Sequence, residues 1–99
     1  MSAPEADPIV RELRASISEL DRAIFDAVRC RLDLVARLKR HKQEHGYSFV
    51  DPRREAEMLD EQLAANHEPL SNEGLRSFYA ELLALSKREV ERGEREASA

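Results

Sequence analysis

The sequence has little of what many small catalytic and structural sites are built from. Its 99 residues include one cysteine, Cys30, three glycines, no tryptophan and 5% aromatic residues. A single cysteine excludes an intramolecular disulfide and a cysteine-rich metal site, and we interpret Cys30 as a small buried apolar residue. No glycine-rich phosphate loop and no Ser/His/Asp set is present, so we expect no cofactor. Few glycines and aromatics with 36% charged residues favour helices over sheets.

An excess of positive charge and a long apolar run are also missing. The net charge is −4 and the pI about 5.4, which argues against a nucleic-acid-binding protein. Residues 1–8 are polar and contain no apolar core, so we expect no signal peptide. No apolar run approaches the length of a membrane span. These absences predict a cytoplasmic protein with neither a membrane nor a nucleic acid as partner.

What the sequence does have is a long helical stripe. Its members are Leu13, Ile17, Leu20, Ile24, Val28, Arg31, Val35, Leu38 and Lys42. Their spacing averages about 3.6 residues, the period of an α-helix. All are aliphatic except Arg31 and Lys42, which place two cations where the pattern calls for apolar side chains.

The two cations of the stripe need anionic partners, because a buried unpaired charge is costly. Arg31 and Lys42 are separated by about 16 Å of helix, a gap suited to a small dianion, and Val35 and Leu38 would form its apolar floor. Alternatively, both cations extend to the surface or pair with acidic residues of a neighbouring helix. The stripe alone leaves both interpretations open.

Start and stop signals predict three helices, over residues 8–44, 52–65 and 72–90. An aspartate or serine stands at each N-cap position, and Gly46 follows the first helix as a C-terminal stop. The fold class is therefore predicted to be all-α.

The same signals predict one domain over residues 1–99, with disordered tails at 1–7 and 92–99. The first helix is too long for so small a monomer to cover its stripe. We therefore expect a second copy of the chain to cover it, which predicts a homodimer.

Two other groups of residues have chemical potential. Asp51 and Glu55 open the second helix; Asp51 suits an N-cap, and Glu55 could bind a substrate hydroxyl, pair with Lys42 or complement the helix dipole. His41 and His45 lie one helical turn apart, but no further Cys or His cluster accompanies them, so we predict no metal site.

In combination, these features resemble the all-helical class of chorismate mutases over residues 9–90. The residues that carry the resemblance are Leu13, Arg14, Ile17, Leu20, Asp21, Arg31, Lys42, Asp51, Arg54, Glu55 and Ser86. The resemblance implies an intertwined dimer of three-helix protomers. It also implies a Claisen rearrangement of chorismate to prephenate.

The resemblance implies a role for each charged residue. Arg14 would reach into the partner's site and bind one substrate carboxylate, and Arg31 would bind the other. Lys42 would contact the ether oxygen, and Glu55 the ring hydroxyl with help from the region of Asp51. The remaining members of the implied binding site are Arg54, Ser86, Val35, Leu38, Leu83 and Val90.

Val90 departs from the family pattern. The resemblance implies glutamine or glutamate there, hydrogen-bonded to the ether oxygen. Moving the register by one residue would put Glu89 in that place, but it worsens the match of the apolar residues, so we prefer Val90. Lys87 could compensate in part for the lost donor. Weaker activity, a related substrate or dependence on a partner would follow.

The sequence therefore leaves three functions open. The first is a chorismate mutase, which needs no proton transfer and no nucleophile. The second is an isochorismate pyruvate lyase or aminodeoxychorismate mutase on the same scaffold. The third is a weakly active or non-catalytic helical dimer that binds a larger shikimate-pathway enzyme.

Overall fold

The chain folds into helices joined by short connections. A computed structural model describes residues 3–98. A short 3₁₀ helix, Pro4–Ala6, precedes α1 (Pro8–Glu44), α2 (Pro52–Ala65) and α3 (Asn72–Ser98). No strand occurs in the described part of the chain. The predicted all-α class with three helices is confirmed.

Both ends of α1 are set by local signals. The side-chain carboxylate of Asp7 accepts a hydrogen bond from the Ile9 amide at 2.9 Å. The backbone carbonyl of Asp7 accepts one from the Arg11 amide at 3.1 Å. Beyond Glu44, Gly46 adopts a φ of 70°, the left-handed conformation that glycine takes without steric cost. This turn brings the Tyr47 amide to 2.8 Å from the Lys42 carbonyl and closes the helix.

The other two helices begin at the predicted caps. Asp51 Oδ1 accepts a hydrogen bond from the Arg54 amide at 3.1 Å, and Pro52 follows at the first helical position. Ser71 Oγ accepts one from the Gly74 amide at 3.0 Å. Each cap satisfies an amide that the helix itself leaves without an acceptor.

The structure differs from the predicted tails at both ends. Residues 4–6 form a 3₁₀ helix and residues 92–98 continue α3. Arg92 explains the longer helix, because it pairs with Glu89 at 3.0 Å one turn before it and with Glu96 at 2.8 Å one turn after it. The first two residues and the last, which belong to the same tail prediction, lie outside the described residues.

The chain divides into two compact units, the first ending at Asp33 and the second beginning at Leu34. In the second unit α2 packs against α3. Ser86 and Val90 on α3, exposed by 4% and 6%, are the buried residues of the described chain. The single domain inferred from the sequence stays a prediction.

In the first unit, the apolar face of α1 is open to solvent. Its exposed aliphatic residues are Ile9, Leu13, Ile17, Leu20 and Ile24, at 49–66% exposure. Cys30 is exposed as well, so its interpretation as a buried residue was wrong. No helix within residues 3–98 carries an apolar stretch sufficient to cross a membrane.

Candidate active site

Lys42 lies at the end of α1 beside the connection to α2. Its side chain is half-buried, and Nζ donates a hydrogen bond to the Phe49 carbonyl at 3.4 Å. Nζ also lies 6.0 Å from the centre of the Phe49 ring, a distance at which a cation and an aromatic face attract. Within residues 3–98, no carboxylate lies within ion-pair distance of Lys42. The pairing of Lys42 with Glu55, one of the interpretations open from the sequence, is therefore not what the structure shows.

Lys39 is a second cation on the same side of α1, and sequence analysis did not single it out. Its Nζ lies 5.3 Å from the centre of the Phe49 ring and forms an ion pair with Glu94 of α3. The Lys39 side chain is only 17% exposed. Its position three residues before Lys42 was the available signal, because residues at that spacing share a helix face. The two lysines thus differ: among the described residues, Lys39 has a carboxylate partner and Lys42 does not.

Glu55, the predicted hydroxyl-binding carboxylate, is held from α3. Glu55 Oε1 lies 3.6 Å from Lys87 Nζ, and the two side chains are 32% and 45% exposed. Lys87 is the predicted substitute for the hydrogen-bond donor that Val90 lacks, and in the structure it forms an ion pair with the Glu55 carboxylate. The pair fixes the direction of Glu55 while leaving it accessible to a ligand.

Asp51 and Arg54 have roles in the helix itself. The Asp51 carboxylate caps α2, which was its simpler interpretation. The Arg54 guanidinium lies 3.6 Å from both Glu57 and Glu61 on the exposed side of α2. These contacts within α2 do not include Lys42 for either side chain.

The predicted α3 residues are covered to different degrees. Ser86 Oγ donates to the Leu82 carbonyl at 2.7 Å, a common arrangement for serine within a helix. Leu83 is half-buried and Val90 buried. Glu89, which the shifted register would place at the site, is paired with Arg92, whose hydrogen bond and positive charge lower the pKa of Glu89.

The predicted residues of α1 fall in both units. Arg14 is exposed and Arg31 half-buried in the first unit. In the second unit, Val35 is half-buried and Leu38 is 50% exposed. Leu38 therefore has apolar surface available to a ligand or to another chain.

A surface hollow of about 490 Å³ runs along the end of α1. Its lining residues are Leu34, Arg37, Leu38, Arg40, His41 and Glu44. All belong to α1, and of the predicted site residues it includes Leu38 alone. Because one helix supplies the whole lining, this hollow is an open surface and not the predicted slot for a dianion.

The described chain is all-helical, and its long first helix carries several cations. A comparison with protein families matches residues 13–91 to chorismate mutase type II. The chain belongs to this family.

A curated relative is similar to part of the chain. The chain is 37% identical over 60 residues to a 4-amino-4-deoxychorismate mutase of Streptomyces venezuelae. The match covers 59% of this chain and spans 58% of the relative's length. No solved structure matches the chain.

Proposed function

We propose that the chain is a chorismate mutase that converts chorismate to prephenate as a homodimer. The observation that carries the proposal is Lys42, a half-buried cation at the family position without a carboxylate partner in the described chain. A cation in such surroundings favours an anionic ligand, because a counter-charge offsets the cost of its partial desolvation. Family membership supports a chorismate-like dicarboxylate as that ligand.

The proposed mechanism relies on placement and charge. Arg31 and the partner's Arg14 would bind the two carboxylates and hold the substrate in its compact reactive conformation. Lys42 would stabilise the negative charge that develops on the ether oxygen as the carbon–oxygen bond breaks. Glu55, directed by Lys87, would accept a hydrogen bond from the ring hydroxyl. The rearrangement is intramolecular and needs no acid, base or nucleophile.

The homodimer is supported by the open face of α1. On this face, Ile9, Leu13, Ile17, Leu20 and Ile24 expose about half or more of their surface. A contiguous apolar face of this kind on one helix is typical of a protein–protein interface. A second copy would cover the face and would bring its own Arg14 to the site. A larger shikimate-pathway enzyme is a further partner that this surface would accept.

The second candidate is an aminodeoxychorismate mutase. The relative from Streptomyces venezuelae supports it, as does Val90, which offers no hydrogen bond at the position where the family resemblance implies one. A change of substrate at the ring substituent would preserve the roles of both carboxylate-binding arginines. An isochorismate pyruvate lyase and a non-catalytic dimer also fit the sequence, but no contact in the described chain favours either of them.

The proposal is tested by removing the cations one at a time. Arg31→Ala and Lys42→Ala should each lower the rate of prephenate formation by at least about 10²-fold, with helix content by circular dichroism unchanged. Arg29→Ala is the matched control, since Arg29 is a well-exposed cation on the same helix that pairs with Asp26. Activity within a few-fold of wild type in either site variant would rule out this site.

A further inference from the structure

The last turn of α1 and His45 directly after it carry three side chains with metal-binding atoms. One ligand atom each from His41, Glu44 and His45 lies within 4.8 Å of the other two. Their spacing of three and four residues puts them on one side of the helix. We propose that they form a binding site for a divalent transition-metal ion of the zinc and nickel type. The proposal does not depend on the proposed catalytic function.

The hydrogen bond of His45 favours the tautomer that binds metal. His45 Nδ1 lies 2.9 Å from the His41 carbonyl oxygen. A carbonyl only accepts hydrogen bonds, so Nδ1 carries the hydrogen and Nε2 of the neutral ring keeps its lone pair. Metal-binding histidines typically donate their second nitrogen to a carbonyl or carboxylate in this way.

The rings are also held in place before any metal arrives. The centres of the His41 and His45 rings are 4.2 Å apart in a stacked arrangement. The turn at Gly46 brings the chain back so that the Tyr47 ring stacks on His45, with centres 5.7 Å apart. The lone pair of each ligating nitrogen lies in its ring plane, so the stacked rings must rotate before both can face one ion, and this rotation opposes binding.

Some charges near the three ligands favour a bound cation and others oppose it. The carbonyl end of a helix attracts cations, and the Glu44 carboxylate adds a negative charge. Arg37 and Arg40 line the same hollow as His41 and Glu44 and oppose a bound cation. Imidazole nitrogen with one carboxylate oxygen suits zinc, nickel or copper. Three protein ligands on an open surface would leave water to complete the coordination.

The test is calorimetric titration of the full, tag-free chain with Zn²⁺ and, separately, Ni²⁺. We expect one ion per chain, and both His41→Ala and His45→Ala should weaken binding about tenfold or more. His67→Ala is the matched control, because His67 contacts the Glu68 carbonyl in the connection between α2 and α3. Circular dichroism of each variant shows whether the helix persists.

Three outcomes would overturn the proposal. The first is the absence of binding heat at millimolar metal. The second is binding that survives His41→Ala unchanged in a helical protein. The third is an equal loss of binding in His67→Ala. Weakening restricted to the His41 and His45 variants would support it, and a smaller loss in Glu44→Gln would identify the third ligand.

Discussion

The two units differ in whether they bury an aliphatic residue, although both leave some exposed, as with Leu38 at 50% in the second unit. In the first, aliphatic residues of α1 such as Ile17 and Leu20 expose 56% and 64% of their surface. In the second, α2 packs against α3, and Val90 is 6% exposed. Burying a large aliphatic side chain contributes about 1.5–3 kcal/mol, so the first unit leaves a substantial free energy unused. The proposed homodimer would recover part of that free energy by covering the exposed aliphatic residues of α1.

The largest effect is expected from placing a charge on the open face of α1. Ile17→Glu should convert the proposed homodimer to a monomer, because burying an unpaired carboxylate in an apolar interface is strongly unfavourable. Loss of the partner's Arg14 should abolish prephenate formation at the same time. Analytical ultracentrifugation measures the association, and chorismate depletion measures the activity.

The control for this variant is Ala15→Glu, which adds the same charge on the opposite side of α1. Ala15 is exposed and lies outside the stripe, so association and activity should be retained. If wild type itself sedimented as a monomer at assay concentrations, the proposed dimer would be wrong. If Ile17→Glu stayed dimeric, another surface would form the interface.

The second prediction concerns Val90, the buried aliphatic residue of the second unit. Val90→Gln should raise the rate of prephenate formation, because a donor to the ether oxygen is worth roughly 10²–10³ in rate. Val90→Leu is the control for side-chain size, and it adds no donor, so it should give no gain. Both variants enlarge a buried residue and should lose roughly 1–3 kcal/mol of stability, which denaturant unfolding would measure.

The same variants distinguish the candidate substrates. Chorismate, isochorismate and 4-amino-4-deoxychorismate would be assayed side by side with wild type and with Val90→Gln. A wild-type preference for the amino compound that shifts toward chorismate in the variant would support the second candidate function. No gain on chorismate in Val90→Gln would contradict the role given to position 90.

Local signals explain why so much of the fold could be predicted. Asp7, Asp51 and Ser71 cap their helices as expected, and Gly46 ends α1, because each depends on neighbours within four residues. The continuation of α3 was missed although its cause is also local. Arg92 and its two acidic partners form an i,i+3 and i,i+4 pattern that the sequence displays.

The site could be predicted only in part, because its pairings cross between helices. The stripe singled out Lys42 and left out Lys39, but it did not show that Lys39 would be paired with a carboxylate and Lys42 would not be within residues 3–98. That difference arises from Glu94, which is 55 residues away in the sequence and meets Lys39 through the packing of the second unit. The pairing of Glu55 with Lys87 likewise joins α2 to α3. Helical periodicity assigns residues to a face, but not to a partner on another helix.

The smallest effect on stability is expected at the end of α3, where the residues that follow the buried Val90 are exposed to solvent. Because Arg92 lowers the pKa of Glu89 below its ordinary value of 4.5, the ion pair stabilises the helix above that pH. This contribution should disappear as the pH falls through the lowered pKa. Amide protection factors across residues 89–96, which are corrected for the pH dependence of intrinsic exchange, should therefore fall on acidification in wild type and change less in Arg92→Ala. Arg95→Ala keeps the pair and should behave as wild type. An acid response equal in all three would show that Arg92 does not hold the end of the helix.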